Sequence, residues 1–130
     1  MRRQHINECA LFAVCAATGR PYLETSAAYQ REYHRGWSHD GPWNWSQFVT
    51  QRLQLPITPK TFSVEGLETD PQKTWGRRRL LFSFFPGAQQ KHVAFVDENN
   101  IVEDGCFEGP VPFARYITEL QGVVLGERLL

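Results

Sequence analysis

The chain has 130 residues, 42% of them apolar and 13% aromatic, which suffices for one domain with a real core and leaves no room for a second. Fourteen Lys and Arg residues balance fourteen Asp and Glu residues, which argues against a nucleic-acid or anionic-membrane partner held mainly by charge. Three cysteines, Cys9, Cys15 and Cys106, show no CxxC pair and no disulfide framework, as suits a reducing compartment.

The N-terminal arm, Met1-Arg2-Arg3-Gln4-His5, is basic, but the apolar stretch behind it carries Asn7 and Glu8 and lacks the small-residue cleavage site of a signal peptide. No apolar run approaches membrane-spanning length, so the expectation is a soluble cytoplasmic protein without membrane insertion. A first helix is predicted over 8–18, with Asn7 as N-cap, Glu8 in the first turn and Gly19 as a left-handed stop before Pro21. It is apolar nearly all round and must be covered on every side. A second helix, mixed in polarity, is expected over 23–33. The segment 36–44, GWSHDGPWN, reads as a loop by its Gly and Pro content. A short helix, WSQFVTQRLQL, follows it and ends at Pro56.

From Ile57 the texture changes. ITPKTFSV reads as one weak strand and EGLETDPQKTWG as a polar loop. The run Arg77-Arg78-Arg79 reads as a solvated lead-in to a strand rather than a binding patch. RLLFSFF, HVAFVD and IVEDG are three successive strands, then come a helical turn over 113–120 and a closing strand in GVVLGERLL. Helices first and an antiparallel sheet second make an α+β domain, with a helical half of about 1–56 and a sheet half of about 57–130.

A cysteine at a helix start meets unpaired backbone N–H groups and the positive end of the helix dipole. That setting favours a thiolate, and the same N–H groups can hold an oxyanion. Cys9 is therefore a candidate nucleophile, the alternative being a small core residue; Cys15, deeper in the same helix, reads as core. A nucleophile needs a base. His5, His34 and His39 read as surface residues, whereas His92 begins a strand whose hairpin partner ends in Asp104. A two-residue loop in that hairpin would pair Val96 with Glu103 and set Asp104 on the wrong face. A three-residue loop, Glu98 to Asn100, pairs Ala94 with Asp104 and brings the carboxylate to the His92 side. Asp97 points away from His92 in any regular strand. His5 with Cys9, or His34 with His39, offers too few ligands for zinc, and no metal or cofactor is required.

These features occur in an order that resembles the papain-like cysteine peptidases. The nearest likeness is to the compact bacteriocin-leader-processing domains of peptide-exporting ABC transporters and similar small phage-encoded domains. The matching stretches are Asn7-Glu8-Cys9-Ala10, Thr18-Gly19-Arg20-Pro21-Tyr22, the helix of Trp45 to Leu55, and His92 to Asp104. The resemblance implies a papain-like fold and a Cys9-His92-Asp104 triad that cleaves a peptide or isopeptide bond in a peptide or protein substrate. It also implies a substrate groove between the two halves, which Trp43 and Trp45 could wall or instead cap as core, and a setting in a host cytoplasm or virion. The family's oxyanion Gln stands six residues before the Cys. Here that position is Arg3, with Gln4 one residue nearer, and Ala10 and Gly105 replace the family's Gly and Pro. Those departures keep open a degenerate module that binds or builds; a third reading keeps the triad as a Cys-dependent acyltransferase or deamidase, since an amine or water can resolve the same acyl-enzyme.

Overall fold

The computed structural model describes residues 8–130. Three helices, α1 (Cys9–Thr18), α2 (Tyr22–Tyr33) and α3 (Pro42–Arg52), precede a short α4 (Pro71–Thr74) and a sheet interrupted by α5 (Phe113–Glu119). The strands are β1 (Arg79–Phe85), β2 (Gln90–Val96), β3 (Ile101–Glu103), β4 (Val111–Pro112) and β5 (Val123–Leu129), in the order β4-β3-β2-β1-β5 with every pairing antiparallel. The chain is thus α+β, helices N-terminal and a five-stranded antiparallel sheet C-terminal. Among the described residues no helix is long and apolar enough to cross a membrane.

The all-apolar α1 is buried as its pattern requires: Ala10, Leu11, Ala13, Val14, Cys15 and Ala17 join a core with Tyr29, Trp37, Phe48, Leu80, Phe82, Val93 and Phe95. Side chains alternate along a strand, so Leu81, Ala94 and Val96 belong to a second cluster with Val102, Val111 and Tyr116 of α5. The sheet is therefore apolar on both faces, one under the helices and one under α5. Gly19 closes α1 at φ 73°, its N–H and that of Arg20 both returning to the Cys15 carbonyl.

Four expectations are corrected. Helix α1 starts at Cys9 with Glu8 as N-cap, one residue later than expected; Asn7 lies outside the described residues. Glu8 does not cap with its side chain, because its carboxylate instead accepts the Tyr22 hydroxyl at 2.5 Å and the Ser26 hydroxyl at 3.0 Å, pinning α1 to α2. Second, the helix expected from Trp45 begins three residues earlier and takes Trp43 out of the loop. Pro42 stands at the first helical position, where its fixed φ and missing N–H cost nothing, so the proline opens α3 instead of breaking it. Asp40 secures that start, accepting from the Gly41 N–H and the Asn44 amide. Third, ITPKTFSV is no strand: Thr58 and Thr61 form a reciprocal capping box around a 3-10 turn over Pro59–Phe62.

Fourth, the arginine run is not uniformly solvated. Arg78 reaches the Ala17 carbonyl and lies over the Phe95 ring. Arg79 has no exposed surface. Its guanidinium pairs with Glu127, bonds to the Arg77 carbonyl at 2.8 Å and to Asn100 Oδ1 at 3.0 Å, and lies over Phe113.

Candidate active site

The hairpin joining β2 to β3 decides where Asp104 goes. Phe95 pairs with Glu103 and Val96 with Val102, the register of a three-residue loop, and the same alignment sets Ala94 opposite Asp104. Asn100 makes the loop possible: it takes the left-handed conformation at φ 58°, and the Asp97 and Ile101 backbones close the turn. The odd loop therefore delivers the carboxylate to the His92 side, as the spacing required.

His92 Nε2 lies 2.8 Å from Asp104 Oδ2, with both side chains buried. Asp104 is held from two further directions. The Tyr116 hydroxyl donates to Oδ2 at 2.6 Å, and the Cys106 backbone N–H donates to Oδ1 at 2.8 Å. The Phe85 ring stands 5.4 Å from the imidazole. Cys9 acts on the same imidazole, raising its pKa as a hydrogen-bonding and charged neighbour. With Nε2 engaged by Asp104, Nδ1 is the ring nitrogen left for that thiol. Cys9 is half-buried at the first position of α1, and the N–H groups of that turn have no side-chain cap from Glu8.

Charges in the site reinforce one another. Burial alone would pull the His92 pKa down, but the hydrogen bonds to Asp104 and Cys9 and the charges on both raise it from 6.5 to about 9. Burial alone would lift the Asp104 carboxyl; the hydrogen bond and charge of His92, then the Tyr116 hydroxyl and the Cys106 N–H, hold it below the usual carboxylate range. Burial, followed by the charge of Asp104, pushes the Tyr116 phenol well above its ordinary range, so it stays a donor. The site thus sets one imidazole between a buried carboxylate and the Cys9 sulfur. By contrast Cys15 is raised to about 11, first by burial, as befits a core thiol.

The remaining candidates fall elsewhere. Gln4, Arg3 and His5 lie outside the described residues. His34 ends α2 and is exposed, and His39 is exposed beside α3. Trp45 stacks flat on Trp37, ring centroids 4.6 Å apart, with Phe62 edge-on and its indole N–H on the Trp37 carbonyl; its ring serves the helical core. Trp43 stands 68% exposed on the first turn of α3.

Two side chains at the site carry no sequence prediction. Tyr116 comes from α5, whose pattern shows only a helical turn. Cys106 is half-buried, and its sulfur, a His92 ring nitrogen and an Asp104 oxygen lie within 4.8 Å of one another. The Asp-x-Cys spacing of Asp104-Gly105-Cys106 signals an Asx-turn, and that turn is what sets Cys106 beside the carboxylate. Comparison with protein-family models, with curated proteins and with solved structures finds no match to this chain.

Proposed function

We propose that the chain is a cysteine hydrolase of papain-like arrangement, cleaving a peptide or isopeptide bond through Cys9, His92 and Asp104. The observation that carries this reading is a buried imidazole shared between a carboxylate and a helix-start cysteine: His92 lies 2.8 Å from Asp104, and Cys9 is a neighbour close enough to raise its pKa. Such a chain of nucleophile, base and orienting acid is what acyl transfer needs.

The Cys9 sulfur attacks the substrate carbonyl while His92 holds the proton. His92 then gives that proton to the leaving amine, and an acyl-enzyme forms on Cys9. His92 next takes a proton from water, which attacks the acyl group and releases the carboxylic acid with the thiol restored. Asp104 stays ionised throughout and fixes the ring orientation, itself fixed by Tyr116 and the Cys106 N–H. The backbone N–H groups of the first α1 turn meet the developing oxyanion, with Gln4 as the expected side-chain donor. An amine in place of water would turn the same acyl-enzyme to transfer.

A mild electrophile such as iodoacetamide tests the reading. The expected result is modification of Cys9 much faster than Cys15 or Cys106, with the rate collapsing in His92→Ala. Equal, slow modification of all three thiols removes an enzymatic role. Fast modification centred on Cys106 transfers the nucleophile to that residue, whose sulfur is also beside His92. Mass spectrometry of a peptide pool with and without added amine then separates hydrolysis from transfer.

A further inference from the structure

We propose that His92, Asp104 and Cys106 form a site for a thiophilic divalent cation of the Zn²⁺ class, and that occupancy silences Cys9. The metal site stands on its own geometry; the silencing rests on the reading of Cys9 as nucleophile.

A ring nitrogen of His92, a carboxylate oxygen of Asp104 and the Cys106 sulfur lie within 4.8 Å of one another. Nitrogen, oxygen and sulfur together are the donor set that borderline-soft Zn²⁺ takes. At Zn–N, Zn–O and Zn–S lengths of about 2.0–2.3 Å, tetrahedral donors stand roughly 3.3–3.8 Å apart, so the His92–Asp104 pair, at 2.8 Å, must part by about half an ångström while the sulfur moves in by no more than about 1.5 Å. They come from β2 and from the turn after β3, two segments joined through one hairpin. Asp104 is already fixed by the Tyr116 hydroxyl and the Cys106 N–H, the kind of outer hydrogen bonding that orients metal ligands. His92 and Asp104 are buried while Cys106 is half-buried, which leaves the sulfur side as the way in. Three protein donors leave a fourth position for water. The pair Cys9 and His92 alone would supply only two.

Silencing follows from the ring's two nitrogens. Nε2 is the nitrogen that faces Asp104. A metal seated between them replaces the proton shared there, and Cys106 gives up its thiol proton as it binds. The neutral, metal-bound imidazole then keeps its single proton on Nδ1. That nitrogen faces Cys9, and in this state the ring can no longer take a proton from the thiol.

Titration of the full chain with Zn²⁺ by calorimetry, and with Co²⁺ as a spectroscopic substitute, tests the site. One equivalent should bind, with a thiolate-to-cobalt charge-transfer band from a single sulfur. Loss of the Cys106 ligand in Cys106→Ser should weaken Zn²⁺ binding at least about tenfold and remove the band, with circular dichroism confirming the fold. Cys9→Ser should keep both the band and the affinity. No binding by the parent chain, an unchanged Cys106→Ser, or loss of binding in Cys9→Ser overturns the site. Saturating Zn²⁺ should slow iodoacetamide at Cys9 at least about tenfold in the parent chain and leave Cys106→Ser unaffected. Equal slowing in both, or none in the parent, overturns the silencing. A chain whose Cys9 is unreactive without metal defeats the nucleophile reading, and the cobalt band still decides the site.

Discussion

Two buried acids are held on the same sheet by the same means, yet only one is paired with a group whose charge can change. Glu127 accepts from the Arg79 guanidinium and from the Thr74 hydroxyl at 2.5 Å; Asp104 accepts from His92 and from the Tyr116 hydroxyl at 2.6 Å. Both pairs are almost inaccessible to water. The difference lies in the cation. Arg79 spends its Nε and Nη1 protons on Glu127, the Arg77 carbonyl and Asn100, and a guanidinium has no proton to give up near neutrality. His92 has a second ring nitrogen besides the one on Asp104, a cysteine that shifts its pKa, and a charge that can change. Burial and ion pairing are common to both sites. A transferable proton beside a thiol belongs to one.

That contrast can be broken most sharply at His92. His92→Gln keeps an N–H donor for Asp104 but removes the titrating nitrogen. Iodoacetamide modification of Cys9 in the folded chain should slow by about 10²–10⁴-fold, with some loss of stability because Asp104 loses its charged partner. An undiminished rate would make the His92 network as purely structural as the Arg79 one.

Arg79→Ala should do the reverse. It leaves Glu127 buried without its cation and should cost about 3–5 kcal/mol of unfolding free energy, read by urea denaturation, with the folded fraction still modified normally at Cys9. The double variant Arg79→Met, Glu127→Leu should recover that loss and be neutral or about 1–4 kcal/mol more stable than the parent. If the double variant stays crippled, the pair is doing more than tying β1 to β5.

The two networks also differ in how legible they were. His92 and Asp104 were readable because their relation is local: one hairpin, one loop length and the period of two along a strand decide it. Cys9 was readable because an apolar helix needs a start and the cysteine stands there. Arg79 was misread because three successive arginines look solvated, and what buries the third is Glu127, 48 residues on, with Thr74 of α4 and Asn100 of the β2–β3 loop. Tyr116 was missed for a similar reason, since nothing in FARYITEL says that its hydroxyl ends on a carboxylate. The helix from Pro42 and the 3-10 turn over Pro59–Phe62 are errors of another kind: the first proline was read as a loop residue and the second was passed over inside a strand, although both sit at first helical positions. The two-residue β4 is too short to leave a pattern.

Tyr116→Phe makes a smaller cut. It deletes one hydrogen bond to a buried carboxylate and should cost about 1.5–3 kcal/mol in urea denaturation. The ring still fills its place against Phe107 and the second apolar cluster, so the loss reports the hydroxyl alone. Cys9 modification should slow as well, because Asp104 then orients His92 with one tether fewer. A stability loss with no change in Cys9 rate would show that Asp104 needs only the Cys106 N–H to stay in place.

The smallest effect tests the residue that touches both networks. Asn100 takes the left-handed position that sets the register of Asp104, and its side-chain oxygen also accepts from Gly76 at 2.9 Å and from Arg79 at 3.0 Å. Asn100→Gly keeps the backbone conformation, which glycine adopts freely, and deletes only the acceptor. It should cost about 1 kcal/mol and leave the Cys9 rate unchanged, because the loop length and hence the His92–Asp104 register survive. Asn100→Val offers neither the acceptor nor an easy left-handed backbone. If Val lowers the Cys9 rate while Gly does not, the turn's conformation governs the reactive pair and its side chain governs only the buried arginine. Equal rates in both variants would mean that Tyr116 and the Asx-turn at Cys106 hold Asp104 in register without help from the hairpin.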